Sequence, residues 1–363
     1  MKILHIHTKM VSGGIEAIVC GLVNEMSKTE DVTLCTIFEP NEEDVFYKRV
    51  SNNVKKITAG KTKSGFSIKE IFTIARIIRK DHYDVVHVHG CFQYYFLAML
   101  LYHKRTRFFY TIHSDARKEN QTTTQSLFSL KKYMFAHRWV IPVTISYASQ
   151  KSFADYYNCS SELVFNGTPK PVLKPDLNEI CEYRYTENTR VFIHAGRITK
   201  AKNQIVLCKV FSRIISEGND VVLLIAGSPE EECIFNEISK YFSNRIIYLG
   251  ERNDIPSLFA QSDAFCLPSI WEGLPVTLLE ALSVACIPVC SPVGGIVDII
   301  IDGVNGFLSK SSAENDYYNA VMRFLSSKAE KVNAIKNDCL NTFKKYDIEN
   351  TSNSYLKLYS RYK

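Results

Sequence analysis

The sequence predicts two doubly wound α/β domains in tandem, each a parallel sheet with helices on both faces. Short, nearly continuous apolar runs alternate with helical patterns along most of the 363 residues, which is typical of strands buried on both faces. The length exceeds what one core usually supports, and a proline-rich break at 168–189 interrupts the rhythm. Because ligands of such sheets bind at the carboxyl ends of the strands, we expect the two sheets to face each other across a cleft.

The elements of the first half begin with an apolar run at 2–7, a Gly13-Gly14 turn and a helical pattern from Ile15 to Met26. A second helical pattern covers 67–80. Further strands are predicted at 32–38, 84–90, 107–113, 139–146 and 162–167. After the break, strands are predicted at 191–196, 220–227, 245–250, 264–269, 287–292 and 306–309, followed by helical, polar sequence to the end.

These patterns set the predicted domain boundaries. The first domain covers 1–170, the linker 171–186 and the second domain 187–345. The last segment, 348–363, carries Tyr355, Leu358, Tyr359 and Tyr362 at helical spacing, which gives one apolar face.

The composition favours a folded, water-soluble protein. Apolar residues make up 46% and charged residues 23%, which excludes a disordered or collagen-like chain. The longest apolar run, 94–102, is far shorter than the roughly 20 residues of a membrane helix. The first residues lack a signal-peptide pattern, so we expect a cytoplasmic protein. The eleven cysteines show no C-x-x-C pair and are expected to be reduced thiols.

The net charge of +6 is unevenly distributed. Residues 1–170 carry 23 basic and 15 acidic side chains, which leaves the remainder with a charge of −2. A basic first half suits nucleic acid, an anionic membrane surface or a phosphorylated substrate, and the sign of the charge does not choose among them.

Five of the nine histidines stand out, as two pairs and one strand-end position. His5 and His7, like His87 and His89, are two residues apart on strands and share a face, which is one pattern of a zinc site. We favour neutral core histidines instead, because no carboxylate or cysteine stands at ligand spacing nearby. His113 ends a strand and leads into a polar loop, so we expect it at the cleft, with His89 as an acceptor-side candidate.

The densest polar cluster lies in the second domain, where Glu272 and Glu280 flank a helix start predicted at Pro275. The first N–H groups of that helix would form an anion site, and the two glutamates could accept hydrogen bonds from ligand hydroxyls. The alternative is one glutamate favoured by the helix dipole and one surface glutamate.

Two cations and two glycines complete the candidates. Arg197 and Lys202 follow a strand end, and such a pair suits a diphosphate; we expect both to be solvated at an open cleft. Gly13-Gly14 would let the backbone approach a phosphate, although it matches neither G-x-G-x-x-G nor the P-loop motif.

Five motifs follow one another along the chain: Gly13-Gly14-Ile15-Glu16, the strand-end His113, GRITKAK with Arg197 and Lys202, YLGERNDI at 248–255, and EGLPVTLLE with Glu272 and Glu280. Together they resemble the glycosyltransferases of family 4, which have the GT-B fold. The resemblance covers nearly the whole chain. It departs after Gly294-Gly295-Ile296, where the usual proline is absent and Asp298 replaces a glutamate.

The resemblance implies a role for each matched position. Arg197 and Lys202 would bind the nucleotide diphosphate, Glu272 the hydroxyls of the donor sugar, and Glu280 the ribose. His113 would lie near the donor sugar, and Gly14 would approach the diphosphate from the other domain. The implied catalytic residues are His113, Arg197, Lys202 and Glu272. The implied donor-binding residues are Gly13, Gly14, Arg197, Lys202, Gly250, Glu251, Arg252, Glu272, Gly273, Leu274, Pro275, Val276 and Glu280.

The resemblance also implies that the last helix packs back on the first domain; the alternative is a helix that caps the second domain. It further implies a retaining enzyme that uses a nucleotide-sugar, with UDP favoured, and a surface polysaccharide or lipid-linked glycan as acceptor, as in capsule and O-antigen synthesis. No Asp-x-Asp occurs, and we expect neither a metal nor another cofactor. The basic first domain suits peripheral contact with the inner face of the plasma membrane.

Three other functions remain as alternatives. A GT-B-fold sugar-nucleotide epimerase would convert the donor without an acceptor, and a non-catalytic sensor would bind the donor only. A nucleic-acid binder is disfavoured, because the basic residues are not interleaved with aromatic residues.

Overall fold

The computed structural model describes residues 1–11, 13–63, 65, 68–90, 106–119, 124–174 and 179–362. The chain forms two compact units, one of Met1–Pro169 with Asp347–Lys363 and one of Lys170–Tyr346. The apolar run at 94–102 lies outside the described residues. No helix in the described part of the chain is long and apolar enough to cross a membrane.

The first unit contains a parallel sheet in the order β3-β2-β1-β4-β5-β6-β7. Its strands are β1 (Lys2–His7), β2 (Asp31–Phe38), β3 (Lys55–Lys61), β4 (Val85–His89), β5 (Arg107–Ile112), β6 (Ile141–Thr144) and β7 (Glu162–Leu163). Its first helices are α1 (Gly14–Met26), α2 (Val45–Arg49), α3 (Ile68–Asp81), α4 (Ala116–Glu119), α5 (Gln125–Ala136) and α6 (Tyr147–Tyr157). No sequence pattern predicted β3, because an edge strand needs little apolar sequence and β3 carries three lysines.

Helices cover both faces of this sheet. One core combines apolar side chains of α3, such as Ile74, with Phe135 of α5 and Phe153 of α6. The other core packs Leu22 of α1 against the opposite face. The central strands β1, β2, β4, β5 and β6 are therefore buried on both sides, which accounts for their nearly continuous apolar sequence.

The second unit repeats the plan with six parallel strands in the order β10-β9-β8-β11-β12-β13. The strands are β8 (Arg190–Ala195), β9 (Val221–Ala226), β10 (Ile246–Gly250), β11 (Ala264–Leu267), β12 (Ile287–Cys290) and β13 (Phe307–Leu308). The helices are α7 (Gln204–Ser216), α8 (Glu232–Ser239), α9 (Ile255–Gln261), α10 (Val276–Ser283), α11 (Ile296–Ile299), α12 (Glu314–Leu325) and α13 (Ala329–Phe343). The prediction of two doubly wound parallel sheets is confirmed.

The segment predicted as a linker, 171–186, is held against the second unit. Lys174 Nζ lies 3.1 Å from Asp254 Oδ2, and Arg184 Nη1 lies 2.8 Å from Asp263 Oδ2. Ile180 is buried in a short 3-10 helix, Glu179–Tyr183. Residues 175–178 lie outside the described residues. Because Lys174 and Arg184 form ion pairs with carboxylates of the second unit, this polar, proline-rich segment is fixed on that unit. We call residues 171–186 the strap.

The last helix, α14 (Ile348–Arg361), belongs to the first unit. Its buried Tyr355 and Tyr359 reach the sheet, where the Tyr359 hydroxyl lies 2.5 Å from His87 Nδ1 and the Tyr355 hydroxyl 3.1 Å from Thr111 Oγ1. The helix packs on α1 at Gly21, where a side chain would press against Ile348. The helix therefore packs on the first unit and does not cap the second.

Candidate functional site

The second unit has a topological switch point between β8 and β11. From β8 the chain proceeds through β9 and β10 to one side, and from β11 through β12 and β13 to the other. The connections leaving β8 and β11 must therefore diverge at the carboxyl edge, which is where open α/β sheets bind their ligands. Arg197 and Lys202 follow β8, whereas Glu272 follows β11.

Lys202 and Glu272 join these two connections. Lys202 Nζ lies 2.6 Å from Glu272 Oε1, and the Ser269 hydroxyl donates to the same oxygen at 2.6 Å. Asn203 adds a second link, because its amide donates to the Pro268 carbonyl at 3.1 Å. The side chains of Lys202 and Glu272 are only 18% and 10% exposed. The expectation that Lys202 is solvated is therefore wrong, since the carboxylate across the switch point draws it inward.

Arg197 is solvated, as expected. Its side chain is 63% exposed and lies 3.1 Å from Glu230. Exposed ion pairs of this kind contribute little stability, so the guanidinium can turn to an anionic ligand at small cost.

A buried chain of hydrogen bonds fixes the turn that carries Arg197. The Gln204 amide donates to the Arg197 carbonyl at 2.8 Å and lies 3.1 Å from His194 Nε2. His194 Nδ1 lies 2.9 Å from the Cys266 carbonyl in β11. Burial lowers the pKa of His194 to about 4, so the ring is neutral, donates through Nδ1 and accepts through Nε2. No sequence pattern predicted His194 and Gln204, because their role is to hold the backbone of the turn in place.

The helix start near Glu272 lies one residue later than predicted. Pro275 is the N-cap and α10 begins at Val276, with no side-chain hydrogen bond at the cap. The first N–H groups of a helix have no partner within it, and their dipole favours an anion. Glu280 lies farther along α10 and is partly buried.

Two glycines outside the predicted site pack closely against the backbone of the connections that follow β8 and β11. Gly294 has a φ of +55°, and a side chain there would overlap the Glu272 carbonyl; the neighbouring Gly295 N–H donates to the Gly273 carbonyl at 2.6 Å. A side chain at Gly227 would likewise overlap the Gly196 carbonyl. A glycine shortly after an apolar strand is the sequence pattern that could have predicted them.

The predicted donor-binding residues Gly250, Glu251 and Arg252 lie at the end of β10. Gly250 has a φ of +72°, which favours glycine. The Arg252 guanidinium donates to Glu179 Oε2 at 2.7 Å and to Asp254 Oδ1 at 2.9 Å. Its charge is thus paired with two carboxylates of the second unit.

In the first unit, the glycine turn follows β1 and begins α1. Gly13 is the N-cap of α1 and Gly14 its first residue. A side chain at Gly13 would overlap the carboxylate of Glu16, which lies 3.4 Å from His7 Nε2. Glycine at this position therefore leaves room for the Glu16 carboxylate.

His113 directly follows β5, and its backbone is clamped by a buried carboxylate. The N–H groups of His113 and Ser114 donate to Glu119 Oε1 at 2.7 and 3.1 Å. Burial raises the pKa of Glu119 to about 7 and lowers that of Lys131, which lies in its field, to about 8. The side chain of His113 is only 8% exposed.

His89, the acceptor-side candidate, is buried, and its contact with an acceptor stays a prediction. It ends β4, and its ring is buried among the rings of His5, His87 and His113. Nitrogen atoms of His5, His87 and His89 lie within 4.8 Å of one another, close enough for a metal. Both nitrogens of His87 and of His89 already have hydrogen-bond partners. That the protein uses no metal stays a prediction.

Comparison with known proteins gives matches over most of the chain. A family model described as Glycosyltransferase Family 4 matches residues 12–169, and one described as Glycosyl transferases group 1 matches residues 180–338. A UDP-Gal:alpha-D-GlcNAc-diphosphoundecaprenol alpha-1,3-galactosyltransferase of Escherichia coli is 25% identical over 302 residues, which are 76% of this chain and 74% of the relative.

Solved structures share the architecture. A glycosyltransferase from Rickettsia africae superposes with a TM-score of 0.84 at 17% identity, covering 99% of this chain and 98% of that one. Anabaena HepE in complex with UDP and glucose gives a TM-score of 0.80 at 18% identity, covering 99% of this chain and 100% of that one. The two family models, the relative and the shared architecture agree with the resemblance seen in the motifs, and the chain is a glycosyltransferase of the family 4 type with the GT-B fold.

Proposed function

We propose that this glycosyltransferase moves a hexose or N-acetylhexosamine from a UDP-sugar, with retention of configuration, to a surface polysaccharide or lipid-linked glycan. The observation that carries the proposal is the Lys202–Glu272 pair, which joins the two connections at the switch point of the second unit. The Escherichia coli relative, named for a UDP-galactose donor and a diphosphoundecaprenol acceptor, supports both substrate classes.

Donor binding would bring a diphosphate to Lys202, which is already paired with the Glu272 carboxylate. A diphosphate beside Lys202 and Arg197 would share their charge with Glu272 and Glu230, the carboxylates with which they are paired. Glu272 would keep its bond from Ser269 and turn its other oxygen to hydroxyls of the sugar. Glu280 would accept from the ribose, as the family resemblance implies.

The chemical step is the departure of the glycosyl group from a diphosphate. Lys202, Arg197 and the first N–H groups of α10 would stabilise the negative charge that develops on the leaving group. These groups supply the charge that a metal supplies in other transferases, so we propose a reaction without one. Gly14 and His113 keep the roles that the resemblance implies.

An exposed face of α3 supports an acceptor carried by a membrane. Ile68 and Phe72 are each 60% exposed, and Phe72 lines a groove with Arg76, Arg79 and Lys80. Apolar side chains beside cations suit the surface of an anionic bilayer, where each cation contributes about 1 kcal/mol. We propose that this face holds the enzyme at the membrane by peripheral contact.

The function is tested with a panel of nucleotides and sugar nucleotides in a thermal-shift assay, followed by release of free nucleotide. We expect UDP and UDP-sugars to stabilise the protein, and UDP release to require a lipid-diphosphate-linked glycan. Conversion of the donor sugar without acceptor would instead identify an epimerase. Binding without turnover under any acceptor would identify a sensor.

The membrane contact is tested by sedimentation with vesicles. We expect binding to vesicles with phosphatidylglycerol and not to phosphatidylcholine alone, with a loss of binding in Phe72→Ser. Ile301→Ser is the control, because Ile301 is an apolar side chain of the second unit with 64% exposure. Equal binding to both vesicle types, or equal loss in both variants, would contradict the contact.

A further inference from the structure

Three histidines of the first unit form a continuous row across three neighbouring strands. His5 lies within β1, His89 ends β4 and His113 follows β5. His5 Nδ1 lies 3.1 Å from His89 Nε2, and His89 Nδ1 lies 3.1 Å from His113 Nε2. Each pair of ring centroids is 5.4 Å apart, with interplanar angles of 14° and 38°.

This geometry indicates hydrogen bonds and not a shared metal ion. Nitrogens 3.1 Å apart on rings whose centroids are 5.4 Å apart lie near the line that joins the rings. A hydrogen bond is nearly linear at its hydrogen. Two imidazoles on one tetrahedral zinc would meet at a bent angle instead.

The row carries one proton per ring. Burial lowers the pKa of His5 and of His113 to about 3, and it lowers the pKa of His89 well below the usual range. A neutral imidazole has one N–H donor and one acceptor nitrogen. The two hydrogen bonds of His89 must therefore point in the same direction along the row, which leaves two arrangements.

The two arrangements differ in where the unpaired N–H lies. His5 Nε2 and His113 Nδ1 are buried and have no hydrogen-bond partner among the residues that the structure describes. If the bonds run from His113 to His5, an N–H is left deep in the sheet at His5. If they run from His5 to His113, the N–H is left on His113 at the strand end. Each arrangement leaves one N–H and one acceptor unpaired. His5 is 0% exposed, whereas His113 is 8% exposed and follows the strand end, so only the second arrangement puts the N–H where a ligand can approach, and it is favoured.

We propose that His5 and His89 are positioning residues that hold His113 as the Nδ1–H tautomer, so that it presents a hydrogen-bond donor at the carboxyl end of β5. The proposal rests on the proposed function for its ligand, an oxygen of a substrate sugar. An Nδ1 that already carries a proton cannot remove one from the acceptor. His113 then positions a sugar hydroxyl and does not act as a general base.

The surrounding contacts fix the backbone of His89 and His113, so only the positions of their ring protons remain variable. His7 Nδ1 lies 2.7 Å from the His89 carbonyl, and Glu119 accepts from the His113 N–H, so the backbone of both residues is fixed. The His87 ring stacks on His89 at 4.3 Å, but its nitrogens face Tyr359 and Thr111. His87 is therefore a neighbour of the row without belonging to it.

The tautomers are measured by long-range ¹H–¹⁵N correlation of protein labelled at histidine nitrogens. In the wild type we expect His113 to carry its proton on Nδ1 at neutral pH. In His5→Phe, which cannot donate to His89, we expect the His113 signal to shift toward a mixture of both tautomers. His5→Asn keeps a donor near the Nδ1 position and should restore the wild-type signal. His87→Gln is the control and should leave His113 unchanged.

Two outcomes would overturn the proposal. One is a wild-type His113 protonated on Nε2, which needs no variant and so does not depend on whether a variant folds. The other is a His113 signal that is the same in His5→Phe and in wild type. Absence of UDP-sugar binding or turnover by the wild type would refute the proposed function and leave the tautomer result standing.

The consequence for activity is measured separately. We expect His5→Phe to lower kcat by about tenfold, the value of one lost hydrogen bond, with unchanged affinity for UDP. His5→Asn should recover kcat. An equal loss of UDP affinity in His5→Phe would indicate general damage to the fold, and the tautomer measurement would then decide.

Discussion

The two units share one sheet plan but place different chemistry beside their switch points. In the second unit, charged side chains stand on the connections after β8 and β11, where Lys202 and Glu272 meet. In the first unit, the corresponding strands β1 and β4 carry the buried, neutral His5, His87 and His89 inside the sheet, next to a glycine turn. Charges on loops remain partly hydrated, whereas imidazoles within a sheet must give up their protons. The first unit should therefore respond to pH and the second to loss of charge.

The largest effect that separates the units is acid sensitivity between pH 6.5 and 4.5. Burial holds the pKa of His5, His87, His89 and His113 far below 6.5 in the folded first unit. The unfolded chain takes up these protons as pH falls, so the stability that the neutral rings contribute is lost on acidification. Glu119 acts oppositely, because its raised pKa lets the folded form hold a proton that the unfolded form releases.

On unfolding, the first unit gains four protons at its histidines and loses one at Glu119, which is a net gain of three. The second unit gains one proton, at His194. We expect the free energy of unfolding to fall by about 4 kcal/mol per pH unit in the first unit and about 1.4 kcal/mol in the second. Trp139 and Trp271, one in each unit, report the two transitions by fluorescence in Trp271→Phe and Trp139→Phe. Equal slopes would remove the distinction between the units.

The second effect is loss of charge at the switch point. Lys202→Ala should lower turnover roughly 100- to 1000-fold, the usual consequence of removing one transition-state donor. Lys200→Ala is the matched control, because Lys200 is an exposed cation of the same turn. Turnover and the melting temperature are measured together. Normal turnover in Lys202→Ala would show that the pair with Glu272 is structural only.

The third effect tests the backbone behind the site. Gly294→Ala should destabilise the second unit by roughly 1–3 kcal/mol, because φ is +55° and the new side chain meets the Glu272 carbonyl. Gly303→Ala has a φ of +71° but no atom within 4 Å of the new carbon, so it measures the cost of φ alone. Urea unfolding monitored at Trp271 compares them. Equal losses would mean that the overlap with Glu272 relaxes freely.

The fourth effect tests the tie between α14 and the histidines. Tyr359→Phe removes the hydroxyl that lies 2.5 Å from His87 Nδ1 and should destabilise the first unit by about 1 kcal/mol. Tyr185→Phe, which removes a hydroxyl bonded to the Asn244 carbonyl at an exposed position, should cost less. Urea unfolding monitored at Trp139 and Trp271 measures the two. A larger loss in Tyr185→Phe would contradict the role of the buried pair.

The smallest expected effect is that of a chelator. Turnover should be the same with and without EDTA, because cationic side chains and a helix end are proposed to bear the charge of the leaving group. The control is addition of manganese after dialysis. Loss of activity with EDTA and its recovery with manganese would refute a metal-independent reaction and reopen the histidine cluster as a metal site.

The sequence was sufficient for the fold plan and for the charged part of the candidate site. Apolar strands that alternate with helices predict parallel sheets, and a cation after β8 and a glutamate after β11 can be located by counting elements. The sequence could not predict that Lys202 is drawn inward, since this depends on a carboxylate 70 residues away. Nor could it predict that Arg252 forms an ion pair with Glu179 of the strap.

The sequence by itself determined which strands are buried and where each connection changes from apolar to polar, because local periodicity encodes burial. Only the tertiary structure decided which distant side chains meet. His5, His89 and His113 are 84 and 24 residues apart, and they form one row because β1, β4 and β5 are neighbours in the sheet. Strand order follows from crossover connections and not from periodicity, so the row and the proton that it places on His113 become visible only in the folded chain.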